Sequence, residues 1–164
     1  MLVSNTSTLV LLAKMNLLEK FLDISPKIAI PSQVKEEYSF EKDSYYAKII
    51  DKMIEKKKIV VYDVDNKMLY EILKNFKLDL GEAAAYCLYK KGSFKAVLTD
   101  DKELIKLCKL EKVPFLCALA ILVQMHKEKV LNKKDMEEKL GELISIARYS
   151  KDIVEYFTKE LKGD

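Results

Sequence analysis

Short runs of β-branched and aliphatic residues recur along the chain at Leu2–Ser4, Lys27–Ile30, Ile59–Tyr62, Ala96–Thr99 and Pro114–Leu116, with longer stretches of helical spacing between them. This alternation constrains the fold more than any other feature, because parallel strands need long crossovers and helices are the usual filler. The helical spacing is plain in Leu9, Leu12, Ala13 and Leu17, and again in Leu104, Ile105, Leu107, Cys108 and Leu110, with lysine and glutamate opposite. Punctuation agrees: Ser32 follows Pro31 after the second run, Asp79 precedes Gly81–Ala85, and Gly92 ends the helix through Tyr86–Lys91. The pattern predicts an α/β domain with helices on both faces of a parallel sheet.

After Leu116 the spacing is purely helical, through Ala118–Lys127, Lys133–Ala147 and Ser150–Leu161. At 164 residues the chain fits one domain, 1–164, with a core over 1–125 and a helical C-terminal extension over 126–164. Neither a repeat nor a low-complexity linker interrupts it.

A hydrophobic content of 49% beside 34% charged residues suits a soluble globular protein, and no apolar run reaches the length of a membrane span. The start, Met1-Leu2-Val3-Ser4, has no basic segment or cleavage site of a secretory signal, so a cytoplasmic location is expected. Cys87, Cys108 and Cys117 form no CxxC pair, and only His126 is available to join them, so neither zinc nor a disulfide is expected. His126 itself reads as a surface residue.

A net charge of +3 is too small to announce nucleic-acid binding by itself. The single arginine, Arg148, leaves lysine as the phosphate-binding cation and argues against base-specific reading of guanine by arginine. Lys56–Lys58 and Lys127, Lys129, Lys133 and Lys134 read first as solvated helix ends. Tyr45, Tyr46, Tyr86 and Tyr89 read as packing residues with wet hydroxyls.

In open parallel sheets ligands bind beyond the carboxyl ends of the strands. The residues due there are Asn5-Thr6-Ser7, the helix reaching Glu37, the helix start Asp79-Leu80-Gly81-Glu82, and Thr99-Asp100-Asp101. Carboxylates gathered at one edge repel each other unless a cation neutralises them. Carboxylate and amide oxygens are hard ligands, which suits Mg²⁺ or Mn²⁺ and points to phosphodiester hydrolysis. Taken singly, each has a structural reading: Asp100-Asp101 as a helix cap followed by a dipole partner, Glu82 as a first-turn acid, and Glu36-Glu37 as a solvated face. Their joint placement at strand ends makes the functional case.

Four segments, Val3-Ser4-Asn5-Thr6-Ser7-Thr8-Leu9-Val10, Ile30-Pro31-Ser32-Gln33-Val34-Lys35-Glu36-Glu37, Asp79-Leu80-Gly81-Glu82-Ala83 and Leu98-Thr99-Asp100-Asp101-Lys102, resemble the PilT N-terminal (PIN) domain superfamily, to which VapC-type toxins belong. The resemblance implies a three-layer α/β/α fold with a five-stranded parallel sheet of order 3-2-1-4-5. By position it implies a site of Asn5, Glu37, Glu82 and Asp101, with Asp79 and Asp100 as nearby metal-side carboxylates and Thr6 or Ser7 hydrogen-bonding from behind. It further implies an Mg²⁺- or Mn²⁺-dependent ribonuclease acting on single-stranded or structured RNA, often a homodimer, and for the toxins a silencing antitoxin protein. One departure stands out, since the first acidic position, usually aspartate in active members, is Asn5.

Loss of that charge opens a second reading, a PIN domain that binds RNA or a protein without cleaving. A third, a nucleotide-binding α/β protein, lacks both GxGxxG and GxxxxGK[ST].

Overall fold

The computed structural model describes residues 1–147 and 149–162. Arg148 therefore lies outside the described residues. Five short strands, β1 (Leu2–Ser4), β2 (Ile28–Pro31), β3 (Ile59–Tyr62), β4 (Val97–Leu98) and β5 (Phe115–Leu116), form one parallel sheet of order β3-β2-β1-β4-β5. This is the order that the resemblance implies. The fourth strand is shorter than the run Ala96–Thr99, although Thr99 N–H still bonds to Leu116 O at 3.0 Å beyond its end.

Side chains of a strand alternate between faces, and the two cores follow that alternation. Leu2, Ile28, Ile30 and Leu98 join the larger core with α1 (Thr6–Lys14), α2 (Leu18–Ile24), α4 (Tyr45–Glu55) and α8 (Ala118–Lys127). Val3, Ala29 and Val97 face the other way, toward α5 (Asn66–Asn75), α6 (Leu80–Lys91) and α7 (Lys102–Leu110). Ala83, Ala84 and Ala85 are fully buried, so small side chains bring α6 close against the sheet. The helix α3 (Ser32–Ser39) follows β2 directly and packs on α6. Leu140, Leu143 and Leu161, from α9 (Lys133–Ile146) and α10 (Lys151–Lys162), are buried in the larger core.

Four helices end in one hydrogen-bond pattern with a left-handed residue that is not glycine: Asn16, Lys57, Lys112 and Lys129, at φ 57, 59, 55 and 58°. After α4, for example, Lys58 N–H reaches Met53 O and Lys57 N–H reaches Ile54 O. His126 departs from the expected surface position: it is half-buried, and its Nδ1 is enclosed without a partner because α8 packs against both α9 and α10. Tyr86 is buried rather than wet, and burial pushes its hydroxyl up to about 12.

Candidate metal centre at the carboxyl edge

The reversal of strand order lies between β1 and β4, so the segments leaving their carboxyl ends run side by side. Asn5 ends β1 and caps α1. Its Oδ1 accepts from Thr8 N–H at 3.3 Å and Ser7 Oγ at 3.2 Å, while its Nδ2 donates to Thr99 Oγ1 at 2.9 Å. The amide has one tolerable orientation, since turning it over would set its NH₂ against the Thr8 N–H. Thr99 Oγ1 also accepts from Asp101 N–H at 3.1 Å, so one buried hydroxyl ties the end of β1 to the turn after β4.

Asp101 caps α7 by accepting Leu104 N–H on Oδ1 at 2.8 Å. The cap thus falls one residue later than the simplest structural reading of Asp100-Asp101. The reason is that Asp100 is engaged elsewhere: it accepts Thr8 Oγ1 at 2.6 Å, Ala118 N–H at 3.1 Å and the Tyr149 hydroxyl. Those donors come from α1, the first turn of α8 and the segment before α10, where an anion also complements the α8 dipole. Asp100 therefore turns away from the other carboxylates. Burial and the Asp100 charge together hold the Tyr149 hydroxyl protonated far above the usual tyrosine range.

Asp79 and Glu82 form a reciprocal capping box at the start of α6, with Glu82 N–H on Asp79 Oδ1 at 2.9 Å and Asp79 N–H on Glu82 Oε2 at 3.0 Å. Glu82 also lies beside Asp101. Burial, followed by the charges of Asp79 and Asp101 and a hydrogen bond shared with Asp101, pushes its carboxyl up to about 8. Glu37 reaches the same helix start from α3: Thr6 Oγ1 donates to its Oε2 at 2.8 Å. A Cβ at position 81 would stand 2.3 Å from that oxygen, so any larger residue there would push the Glu37 carboxylate out of this position.

The structure thus sets Glu82 beside Asp101 and ties it to Asp79 through the capping box, brings Glu37 to the same helix start through Thr6 and Gly81, and spends the Asn5 oxygen on the start of α1. Among the described residues, no group of three or more His, Cys, Asp or Glu side chains is arranged to hold a metal ion. The donor chemistry nonetheless fits Mg²⁺ or Mn²⁺. The observation is Glu82, a hard oxygen donor beside Asp101 whose carboxyl is pushed up to about 8 first by burial and then by the charges of Asp79 and Asp101. Such ions often take only one or two carboxylates and fill the rest of their shell with water and substrate oxygens. Sequence reasoning set Gly81 and Thr99 at the strand ends without a role of their own, and Thr8 stands inside a quoted segment, whereas nothing local marks Tyr149. Beside Asp101 a cavity of about 770 Å³ opens between α1, α7, β5 and the C-terminal segment, lined mainly by apolar side chains including Val10, Ile105, Phe115 and Phe157.

Fold and site together define a doubly wound α/β domain with an acidic edge at its switch point, the arrangement of a nuclease-type domain. The model of the family DUF3368, described as a PIN domain, matches residues 1–162, and the chain belongs to that family. No curated protein and no solved structure matches the chain. Among the described residues, no helix is long and apolar enough to cross a membrane.

Proposed function

We propose that the chain is a metal-dependent ribonuclease, with Glu82 and Asp101 as the principal ligands of Mg²⁺ or Mn²⁺, Glu37 completing the site, and Asn5 holding the start of α1 beside it. The observation that supports this most is Glu82 beside Asp101 at the switch point, where burial and then the charges of Asp79 and Asp101 favour capture of a cation. When bound, the ion lowers the pKa of a coordinated water and neutralises charge on a phosphodiester. The chain's own residues do the positioning. The hydroxyl of Thr6 and the missing side chain of Gly81 seat Glu37. Thr99 fixes both Asn5 and the turn bearing Asp101. The backbone N–H groups of Asp79 and Leu104 orient Glu82 and Asp101.

The physiological role in this reading is the toxin of a toxin–antitoxin pair, acting as a homodimer. The apolar cavity beside Asp101 is then the surface for a segment of the antitoxin. A second reading, a PIN domain that binds RNA or protein without cutting, is favoured by one observation: Asn5 brings no charge and its oxygen is already bonded to Thr8 N–H.

The test is cleavage of a labelled single-stranded RNA with Mg²⁺ or Mn²⁺ by wild type, Asn5→Asp and Asp101→Asn. Metal-dependent cutting by wild type that disappears in Asp101→Asn supports the nuclease. Silence in wild type with activity gained in Asn5→Asp supports the binding module. Asn5→Asp is expected to fold, because the Thr99 hydroxyl can rotate and donate to the new carboxylate.

A further inference from the structure

We propose that Phe40 is a stacking platform for an unpaired base of the substrate strand, making the acidic edge selective for single-stranded over duplex nucleic acid. This rests on the ribonuclease reading above and adds a specificity residue to it. Phe40 closes α3 in helical conformation and leaves 89% of its surface exposed, more than any other large apolar side chain among the described residues. It stands three positions after Glu37, a spacing that sets the two residues on one helix face. The Glu37 carboxylate in turn lies against Gly81, and Leu80, beside Gly81 at the start of α6, is 48% exposed. Phe40 thus lies one helical turn from the residue whose carboxylate Thr6 holds.

The surroundings of Phe40 decide the kind of partner. Its sequence neighbours Lys35, Glu36, Glu41, Lys42 and Asp43 are all exposed and polar, so its own segment builds no apolar patch around the ring. A protein interface gathers its aromatic anchors into a patch with a buried apolar centre. A base needs only one ring face, and every base offers a π-face. In duplex RNA the bases are already paired and stacked, and the platform has nothing to hold.

The experiment measures anisotropy of a labelled single-stranded RNA and of a duplex of equal length, without divalent cation, for wild type, Phe40→Ala and Phe40→Trp. Cleavage with Mn²⁺ and sedimentation are recorded in parallel. Phe40→Ala is expected to weaken single-strand binding about 5- to 100-fold and leave duplex binding unchanged, and Phe40→Trp to restore it. So exposed a position leaves folding intact. Equal single-strand binding by wild type and Phe40→Ala, with cleavage intact in both, overturns the platform alone. A change of oligomeric state in Phe40→Ala with unchanged RNA binding overturns it in favour of a protein contact. A wild type that neither binds nor cuts RNA overturns the ribonuclease reading and the platform with it.

Discussion

Asp100 and Asp101 follow one another at the end of β4, yet the first carboxylate is saturated by donors from α1, α8 and the segment before α10, while the second caps its own helix and lies against Glu82. One belongs to a structural knot and the other to the acidic edge. The difference shows that closeness in sequence says little about a carboxylate's role. What separates the two is whether neutral donors or another acid stands opposite.

The largest effect expected from this contrast is on stability. Asp100→Ala leaves Thr8, Ala118 N–H and Tyr149 without their acceptor and is expected to cost about 3 kcal/mol, roughly 6–12 °C in Tm, read by thermal unfolding. Asp101→Ala loses one helix cap, about 1 kcal/mol. Equal losses for the two variants would erase the distinction.

Asp101→Asn sharpens the other side of it. Asparagine caps as well as aspartate, so Tm is expected to move by less than about 2 °C, while RNA cleavage on the proposed reading falls about 100-fold. Gly81→Ala is the intermediate case. Alanine suits a helix better than glycine by roughly 0.5–1 kcal/mol, but its methyl group displaces the Glu37 carboxylate. Unchanged or raised Tm with cleavage reduced about 10-fold is expected. A stable, fully active Gly81→Ala would remove Glu37 from the site.

The smallest effect is a slope with pH. The carboxyl of Glu82 sits at about 8 in the folded chain against an ordinary value of 4.5, so between these values the folded state binds more protons than the unfolded one. Its contribution to stability is fully present below pH 4.5 and is lost as pH rises through 8. Unfolding from pH 4 to 9 in EDTA is expected to show this fall in wild type, and Glu82→Gln is expected to flatten it. Mg²⁺ or Mn²⁺ is expected to raise Tm more at pH 8 than at pH 5, since the cation replaces the proton between Glu82 and Asp101.

Much of the architecture was legible in the sequence because parallel strands and crossover helices have different periods, and runs such as Ile28–Ile30 and Ile59–Val61 are short, apolar and well separated. The acidic edge was legible as a set of residue types at strand ends. Its division was not, because the Asp100 knot depends on Tyr149, 49 residues away, and on a helix start at Ala118. The role of Asn5 had the same limit: an amide in an acidic position reads as lost charge, while its bond to Thr99 spans 94 residues. The enclosed Nδ1 of His126 likewise follows from how the last helices fold back, which helical spacing alone does not specify.

The left-handed helix ends carry a practical consequence. Such a corner is easy for glycine and costs other residues roughly 1 kcal/mol, yet this chain, with 4 glycines in all, places lysine at three of them. Lys57 and Lys112 precede β3 and β5, so they lie at the amino-terminal edge of the sheet, opposite the carboxylates. These corners are places where the protein can be made more robust without approaching its chemistry. A Lys57→Gly, Lys112→Gly background gives the destabilised Asp100 variants a scaffold on which they still fold well enough to be assayed.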